Sequence, residues 1–160
     1  MQELAERLLR DYADSPLLVV CIAEGAMRFV DDLLAEVGPR GLVPERVDVR
    51  ARRTQGTELG PVQVEHFDPE QLDDKDVLIV DDVADQGATL RAVLELAQLG
   101  EPRSVRTAVL IDKHAERRDA LPLDYVGFRI PSGWVIGYGM DVDGEYRELD
   151  WIGVLRDGRF

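Results

Sequence analysis

The strongest constraint on the fold of this chain is the stretch Val77–Thr89, which reads VLIVDDVADQGAT. Its first four residues are aliphatic, and such a run is typical of a strand buried on both faces of a parallel sheet. Asp81 and Asp82 follow, then a short loop with Gly87, and a helical pattern begins at about Thr89. A loop between a strand end and a helix start directs backbone N–H groups and a positive dipole at one point, which favours phosphate binding. The paired carboxylates beside it suit ribose hydroxyls or Mg²⁺.

An alternative reading of the same stretch is a solvated acidic turn before an ordinary capped helix. For an Asp-Asp pair at a strand end taken alone, the two readings are equally good. Asp85, Gly87 and Thr89 add a third carboxylate, a turn residue and a hydroxyl close to the helix start. This spacing favours the ligand-binding interpretation.

Strand and helix patterns alternate over the first two thirds of the chain, which predicts an α/β fold: a mainly parallel twisted sheet with helices on both faces. The later strand patterns have no helix between them, which indicates an added antiparallel piece. The predicted helices are Met1–Tyr12, Met27–Val37 and Leu90–Leu99. The predicted strands are Leu17–Ile22, Val47–Val49, Val62–Val64, Val77–Val80, Val105–Ile111, Tyr125–Ile130, Val135–Tyr138 and Trp151–Leu155.

The composition limits the possible partners. A formal net charge of -13 argues against a nucleic-acid-binding surface and against binding to anionic membranes. The longest apolar runs, Leu17–Ile22 and Ala108–Ile111, are too short to span a bilayer. The start of the chain lacks a secretion signal pattern, and the single Cys21 fits a reducing compartment, so we expect a cytoplasmic protein.

Four stretches together carry a family resemblance that covers roughly Leu17 to Val154. Val77–Thr89 resembles the phosphoribosyl-pyrophosphate (PRPP) motif of type I phosphoribosyltransferases. The other three resemble parts of hypoxanthine-guanine phosphoribosyltransferases. These are Ile22–Leu33 (pyrophosphate loop and helix), Val47–Val64 (flexible catalytic loop), and Asp124–Asp141 with Tyr146–Leu149 (purine-binding hood). The resemblance implies a single domain over residues 1–160, with a small hood formed mainly by residues 120–160 and the N-terminal segment as a further candidate.

By this resemblance, the chain transfers phosphoribose from PRPP to a 6-oxopurine, releases pyrophosphate and uses Mg²⁺. Asp81 and Asp82 would hold the ribose hydroxyls, directly or through Mg²⁺. Asp85 would be the general base near N7 of the purine. The 5′-phosphate would be held by Gln86, Gly87, Ala88 and Thr89.

The resemblance also implies a set of purine-binding residues. Lys113 would donate to the 6-oxo group, which favours hypoxanthine or guanine over adenine. Trp134 would stack on the base, and Val135 would contact it through its backbone. Asp141 would serve a Mg²⁺ ion and lie near the guanine amino group.

The expected pyrophosphate site consists of Glu24, Gly25 and Arg147, and it departs from the family pattern. Glu24 stands where the family commonly has Lys or Arg, and a carboxylate there repels pyrophosphate unless it points away. Arg52 and Arg53 are candidates for supplying positive charge in its place, against the alternative that both are solvated surface residues.

Two further departures concern the phosphate loop and the lid. Gln86 replaces the usual Thr, and its amide can still donate a hydrogen bond. Thr54 and Gln55 occupy the usual Ser-Tyr position of the catalytic lid, and the loop after them is shorter. A shorter lid without the aromatic residue would close less completely over the reacting centre.

Three functions remain open from the sequence. The first is an active purine salvage enzyme that uses Mg²⁺. The second is a catalytically weakened regulatory protein that senses PRPP or nucleotides, and the third is an enzyme for another base such as xanthine. Family members are commonly dimers or tetramers, so we expect a homo-oligomer.

Overall fold

The computed structural model describes residues 1–53, 61–117 and 120–155, with only the backbone of Arg53. The helices are α1 (Gln2–Tyr12), α2 (Met27–Val37) and α3 (Ala88–Ala97). The strands are β1 (Leu17–Ala23), β2 (Glu45–Arg53), β3 (Val62–Glu65), β4 (Asp76–Ala84), β5 (Ser104–Lys113), β6 (Tyr125–Ile130), β7 (Trp134–Ile136) and β8 (Gly153–Leu155). Short 3₁₀ turns lie at Gly38–Arg40, Pro69–Leu72 and Gln98–Gly100.

The first six strands form one sheet in the order β3-β2-β1-β4-β5-β6. All neighbouring pairs are parallel except β2 and β3, which are antiparallel. Strands β7 and β8 form a separate antiparallel pair. The predicted mainly parallel sheet with an added antiparallel piece is therefore confirmed.

Helices cover both faces of this sheet, as predicted. Successive residues of a strand point to opposite faces, so Val19 and Cys21 of β1 pack with α1 and α2, whereas Leu18 and Val20 pack with α3. All four residues of this run are at most 2% exposed. The continuous apolar runs of β1 and β4 thus reflect burial on both sides of the sheet.

The position of β6 differs from our expectation. We placed Tyr125–Ile130 in the expected hood, but this strand pairs parallel with β5 in the main sheet. The connection over residues 114–124 is close to the length that a parallel crossover needs, and its Leu121 and Leu123 pack on the α3 side of the sheet. The antiparallel piece is consequently limited to β7, β8 and their loops.

The sheet register brings the candidate site residues to one edge. Ala23 at the end of β1 pairs with Arg50 of β2, and Ala84 at the end of β4 pairs with Asp112 of β5. The carboxyl ends of parallel strands form the edge where α/β proteins bind ligands. Within the described ranges, none of the helices has the length and apolar character to cross a membrane.

Candidate active site

Asp81 and Asp82 lie near the end of β4 as a tightly packed carboxylate pair. The Asp82 amide donates to Asp81 Oδ1 at 3.0 Å, and the Val83 amide donates to Asp82 Oδ1 at 2.8 Å. Asp81 is only 5% exposed. Burial, followed by the adjacent Asp82 charge, raises the pKa of Asp81 well above its usual range. A hydroxyl donor or a cation at this position would stabilise the ionised pair.

The loop after β1 lies directly against Asp82. A Cβ atom built on Gly25 would lie 1.8 Å from Asp82 Oδ2, so this position has no room for a side chain. The structure therefore brings together Gly25 of the predicted pyrophosphate loop and Asp82 of the predicted ribose site.

The start of α3 has the geometry of an anion site. Gly87 adopts φ +83° just before the helix, a conformation that favours glycine. The first bond of the helix runs from the Arg91 amide to the Gly87 carbonyl at 2.9 Å, so the amides of the first turn, which include those of Ala88 and Thr89, have no intrahelical partner. Gln86 and Thr89 are partly buried beside these amides.

Lys113 and Asp85 meet at the end of β5. Lys113 Nζ lies 3.5 Å from Asp85 Oδ2, and Lys113 is 7% exposed. Asp85 Oδ1 is buried and accepts no hydrogen bond from the described part of the chain. One carboxylate oxygen thus faces a buried ammonium group, while the other is buried and has no described hydrogen-bond donor; the exposed part of the side chain, 46% of its area, faces the site.

Glu116, which the sequence analysis did not single out, links Lys113 to the β7 loop. Its Oε2 lies 3.9 Å from Lys113 Nζ, and its Oε1 accepts from the Gly133 amide at 3.2 Å. Gly133 directly precedes Trp134. The i,i+3 spacing of Lys113 and Glu116 was visible in the sequence, but the bond to Gly133 depends on tertiary structure.

The residues expected to contact the purine differ in exposure. Trp134 is 60% exposed and Val135 is 6% exposed. In the β7–β8 pair these residues face Leu155 and Val154, respectively. The Trp134 ring is thus on the surface of the two-stranded sheet, whereas the Val135 side chain is part of the core.

Asp141 and Arg147 are bonded to each other. Arg147 Nη2 donates to Asp141 Oδ1 at 2.5 Å, and Arg147 Nη1 donates to the Gly139 carbonyl at 3.2 Å. Asp141 Oδ2 accepts from the Gly144 amide at 2.7 Å. Both oxygens of the expected Mg²⁺ ligand therefore already accept a hydrogen bond, and the positive charge of Arg147 would oppose a metal at Asp141 as long as the two side chains are paired.

A cavity of about 550 Å³ lies beside Glu24 at the end of β1. The Ala23–Glu24 peptide bond is cis. Glu24 Oε1 lies 3.7 Å from Arg50 Nη2, and Glu24 Oε2 lies 3.8 Å from Arg147 Nη1. The cavity wall includes Ala23, Glu24, Met27, Arg28, Asp31, Asp48, Arg50, His66, Gly139 and Arg147.

The expected positive charge near Glu24 comes from a residue that we did not predict. Both Arg50 and Arg52 are exposed, but Arg50 contacts Glu24 and lines the cavity, whereas Arg52 is not part of the cavity wall. The side chain of Arg53 and the expected lid residues, Thr54 and Gln55, lie outside the described residues.

Comparisons with known proteins agree with this geometry. A family model described as a phosphoribosyl transferase domain matches residues 1–143. The hypoxanthine-guanine phosphoribosyltransferase of Staphylococcus aureus (strain Mu50) is 34% identical over 155 residues, which cover 97% of this chain and 86% of the relative.

Two solved structures of the Trypanosoma cruzi hypoxanthine phosphoribosyltransferase have the same fold at 31% identity. One, in complex with the product IMP, gives a TM-score of 0.90 and covers 99% of this chain and 89% of that one. The other comes from work on the role of the C-terminal region in the oligomeric state and activity of that enzyme. It gives a TM-score of 0.89 and covers 97% of this chain and 84% of that one. The chain therefore belongs to the phosphoribosyltransferase family and, within it, to the hypoxanthine-guanine phosphoribosyltransferases.

Proposed function

We propose that this purine salvage phosphoribosyltransferase transfers the phosphoribosyl group of PRPP to hypoxanthine or guanine and releases pyrophosphate. The observation that carries the proposal is the pair of Lys113 and Asp85, which lie 3.5 Å apart beside the carboxylate pair of β4. This pair combines a buried donor with a carboxylate oxygen that has no described partner. The Trypanosoma cruzi relative, whose structure contains IMP, supports hypoxanthine as the base.

Asp81 and Asp82 would hold the ribose hydroxyls of PRPP. Their carboxylates are adjacent, and Asp82 touches the loop that would take the pyrophosphate. The sugar and the pyrophosphate are neighbours in PRPP, so the two loops lie in the order that the substrate requires. Burial and the adjacent Asp82 charge raise the pKa of Asp81, and the ribose hydroxyls would offset this effect by donating to the carboxylate pair.

The residues also fit Mg²⁺. Within the described residues no cluster of three or more His, Cys, Asp or Glu side chains forms a ready-made metal cage. Mg²⁺ is usually bound by one or two carboxylates together with substrate phosphates and water, and Asp81 and Asp82 match that pattern, with Asp141 as a further ligand once it is released from Arg147. The chemistry that a bound Mg²⁺ supplies is neutralisation of the charge that pyrophosphate gains as it leaves.

The start of α3 would hold the 5′-phosphate. The first-turn amides point along the helix axis toward the loop of Gln86 and Gly87, and the helix dipole adds to their attraction for an anion. The hydroxyl of Thr89 and the amide of Gln86 are further donors. This binding would place the anomeric carbon of PRPP between the α3 loop and the β1 loop.

Asp85 would accept the proton from N7 of the purine as the purine attacks the anomeric carbon of PRPP. Lys113 would donate to the 6-oxo group, and adenine, which has an amino group there, would be disfavoured. Trp134 would cover the face of the base, and the link from Lys113 through Glu116 to Gly133 holds the β7 loop next to the lysine. The backbone of Val135 would contact the purine next to Trp134.

A PRPP-sensing regulator remains the second candidate. The observation that favours it is that Arg147, the expected pyrophosphate ligand, is paired with Asp141 and lies near Glu24. Such pairs oppose pyrophosphate binding unless they break when the substrate arrives.

One assay separates these functions. Purified protein with PRPP and Mg²⁺ is offered hypoxanthine, guanine, xanthine and adenine, and pyrophosphate release is followed. We expect turnover with hypoxanthine or guanine and none with adenine. Turnover with xanthine alone would replace the proposed base, and PRPP binding without turnover on any base would support the regulator.

We further infer that the protein is a cytoplasmic homo-oligomer, dimer or tetramer. Burial raises the pKa of the Cys21 thiol to about 12, which makes it inert as a nucleophile and compatible with a reducing compartment. Phe128, Trp151 and Val154 are exposed and line one apolar groove, a feature typical of contact surfaces. Light scattering after gel filtration measures the mass; a monomer at micromolar concentration would contradict the inference.

A further inference from the structure

Arg50 lies beside the loop that would take pyrophosphate, although neither the PRPP motif nor the family resemblance gave it a role. The register of β1 and β2 pairs Arg50 with Ala23, so its side chain is next to Glu24 and lines the same cavity. Position 50 is set by strand pairing, which holds its backbone firmly against the end of β1. A guanidinium here can reach an anion bound by the β1 loop.

The Glu24 carboxylate bridges two guanidinium groups. One oxygen lies 3.7 Å from Arg50 and the other lies 3.8 Å from Arg147. Both separations are longer than a hydrogen bond, and the three side chains are between 39% and 52% exposed. Loose ion pairs at this exposure are weak and exchange readily with another anion.

The other arginines of the cavity are more firmly engaged. Arg28 donates to the Leu149 carbonyl at 3.0 Å, and its guanidinium lies 4.8 Å from the centre of the Tyr138 ring. Arg147 donates to Asp141 at 2.5 Å. Within the described residues, Glu24 is the one ion-pair partner of Arg50. Arg50 is therefore the arginine that a bound anion can recruit with the smallest loss of existing contacts.

We propose that Arg50 is a pyrophosphate-binding residue and that Glu24 is its internal counter-ion. Glu24 holds Arg50 and Arg147 near the cavity until an anion binds. Pyrophosphate, with its larger negative charge, replaces the carboxylate at both guanidinium groups. This proposal rests on the proposed function, since it assigns residues to the pyrophosphate half of that site.

The test is the binding of inorganic pyrophosphate, with Mg²⁺, to the full chain by isothermal titration calorimetry. We expect Arg50→Gln to weaken binding about tenfold, because one charged donor is lost. We expect Glu24→Gln to tighten binding about threefold, because a repulsive charge and a competitor are removed. The affinity for IMP should change by less than roughly twofold in both variants, since IMP carries no pyrophosphate.

Arg52→Gln is the matched control. It removes the same charge from the same face of β2, but Arg52 does not line the cavity. We expect it to change pyrophosphate affinity far less than Arg50→Gln does. Equal losses of pyrophosphate affinity in the two variants would show that only the net charge of the protein matters, and this result would overturn the proposal.

The double variant separates a binding role from a structural one. In the wild type, part of the Arg50 interaction with pyrophosphate replaces the existing contact with Glu24. The loss caused by Arg50→Gln should therefore be larger in the Glu24→Gln background than in the wild type. Additive effects would refute the role of Glu24 as the counter-ion of Arg50. A lowered melting temperature of Arg50→Gln, together with equal losses of affinity for pyrophosphate and IMP, would assign Arg50 a structural role.

The outcomes for the two proposals are distinct. If the wild type binds IMP and turns over hypoxanthine or guanine, but Arg50→Gln leaves pyrophosphate affinity unchanged, only the role of Arg50 is refuted. No measurable pyrophosphate binding by an active wild type would also refute it. A wild type that neither binds IMP nor turns over any base refutes the proposed function itself.

Discussion

Substitution of Gly25 by alanine tests the contact between the two substrate loops. A Cβ atom at this position would lie 1.8 Å from Asp82 Oδ2, whereas real Cβ atoms essentially never approach another atom within 3.0 Å. The carboxylate oxygen would have to move by about 1.2 Å. Gly25 is not among the glycines with positive φ, so the effect of the substitution comes from this contact.

The size of the effect follows from what holds Asp82. Its other oxygen accepts a hydrogen bond from the Val83 amide at 2.8 Å, and rotation of the carboxylate away from Gly25 would weaken this bond. Overpacking of this kind costs about 1–3 kcal/mol of stability, which corresponds to about 2–4 °C of melting temperature per kcal/mol in a chain of this size. A shift of about 1 Å in a group that positions substrate costs on the order of 100-fold in rate, or about 2.7 kcal/mol.

The assay is kcat/KM for PRPP at saturating hypoxanthine, together with the melting temperature. We expect Gly25→Ala to lower kcat/KM for PRPP about 100-fold and to lower the melting temperature by about 2–12 °C. Gly38→Ala is the control, because a Cβ there meets nothing within 4 Å and the residue has an ordinary helical φ of -57°. It should leave kcat/KM for PRPP near the wild type, while the melting temperature falls slightly, because helical backbone angles are disfavoured for a non-glycine residue before Pro39. Unchanged kcat/KM in Gly25→Ala would refute the role of Asp82 in PRPP binding.

Three further variants test the remaining site residues. Asp85→Asn should lower kcat about 100-fold or more with little change in PRPP affinity, because it removes the general base; an unchanged kcat would remove Asp85 from that role. Lys113→Met should lower kcat/KM for hypoxanthine on the order of tenfold, because the 6-oxo group loses its charged donor. An unchanged preference for hypoxanthine over adenine would contradict this role of Lys113. Asp81 has a raised pKa in the folded state, so the folded chain retains a proton that the unfolded chain releases, and stability falls as pH rises above 3.8 through the raised value. Asp81→Asn should consequently raise the melting temperature at neutral pH, and it should weaken PRPP binding. Equal melting temperatures of the wild type and Asp81→Asn from pH 5 to pH 8 would show that the ionised Asp81 carboxylate does not destabilise the fold.

The elements of the fold were largely predictable because their signals are local. The aliphatic runs of β1 and β4 and the helical spacing of α1 and α2 result from burial against the sheet, and burial acts on neighbouring positions in the chain. The predicted boundary of α3 was less accurate: the helix begins at Ala88 and ends at Ala97, and a 3₁₀ turn at Gln98–Gly100 continues it. Helix ends depend on a few capping residues and are less certain than helix centres.

The carboxyl edge of the sheet was also predictable in part. Asp81, Asp82 and Lys113 each follow an aliphatic run that predicts a strand, and parallel strands end at the same edge of a sheet. The structure adds the 3.5 Å contact between Lys113 and Asp85. The partner of Asp141 was not predictable. Its bond to Arg147 depends on the path of the loop between them, and the sequence pattern carries no information on that path.

The sequence by itself determined the strand–loop–helix unit of Val77–Thr89 and the chemistry that such a unit can perform, because both follow from residues that are neighbours along the chain. Tertiary structure alone decided which distant residues meet. Pairing of β5 with β6 moved Tyr125–Ile130 into the main sheet, and pairing of β1 with β2 placed Arg50 beside Glu24. Strand pairing and register depend on contacts between residues far apart in the chain. Local periodicity specifies which face of a strand is buried, and it leaves open which strand lies beside it.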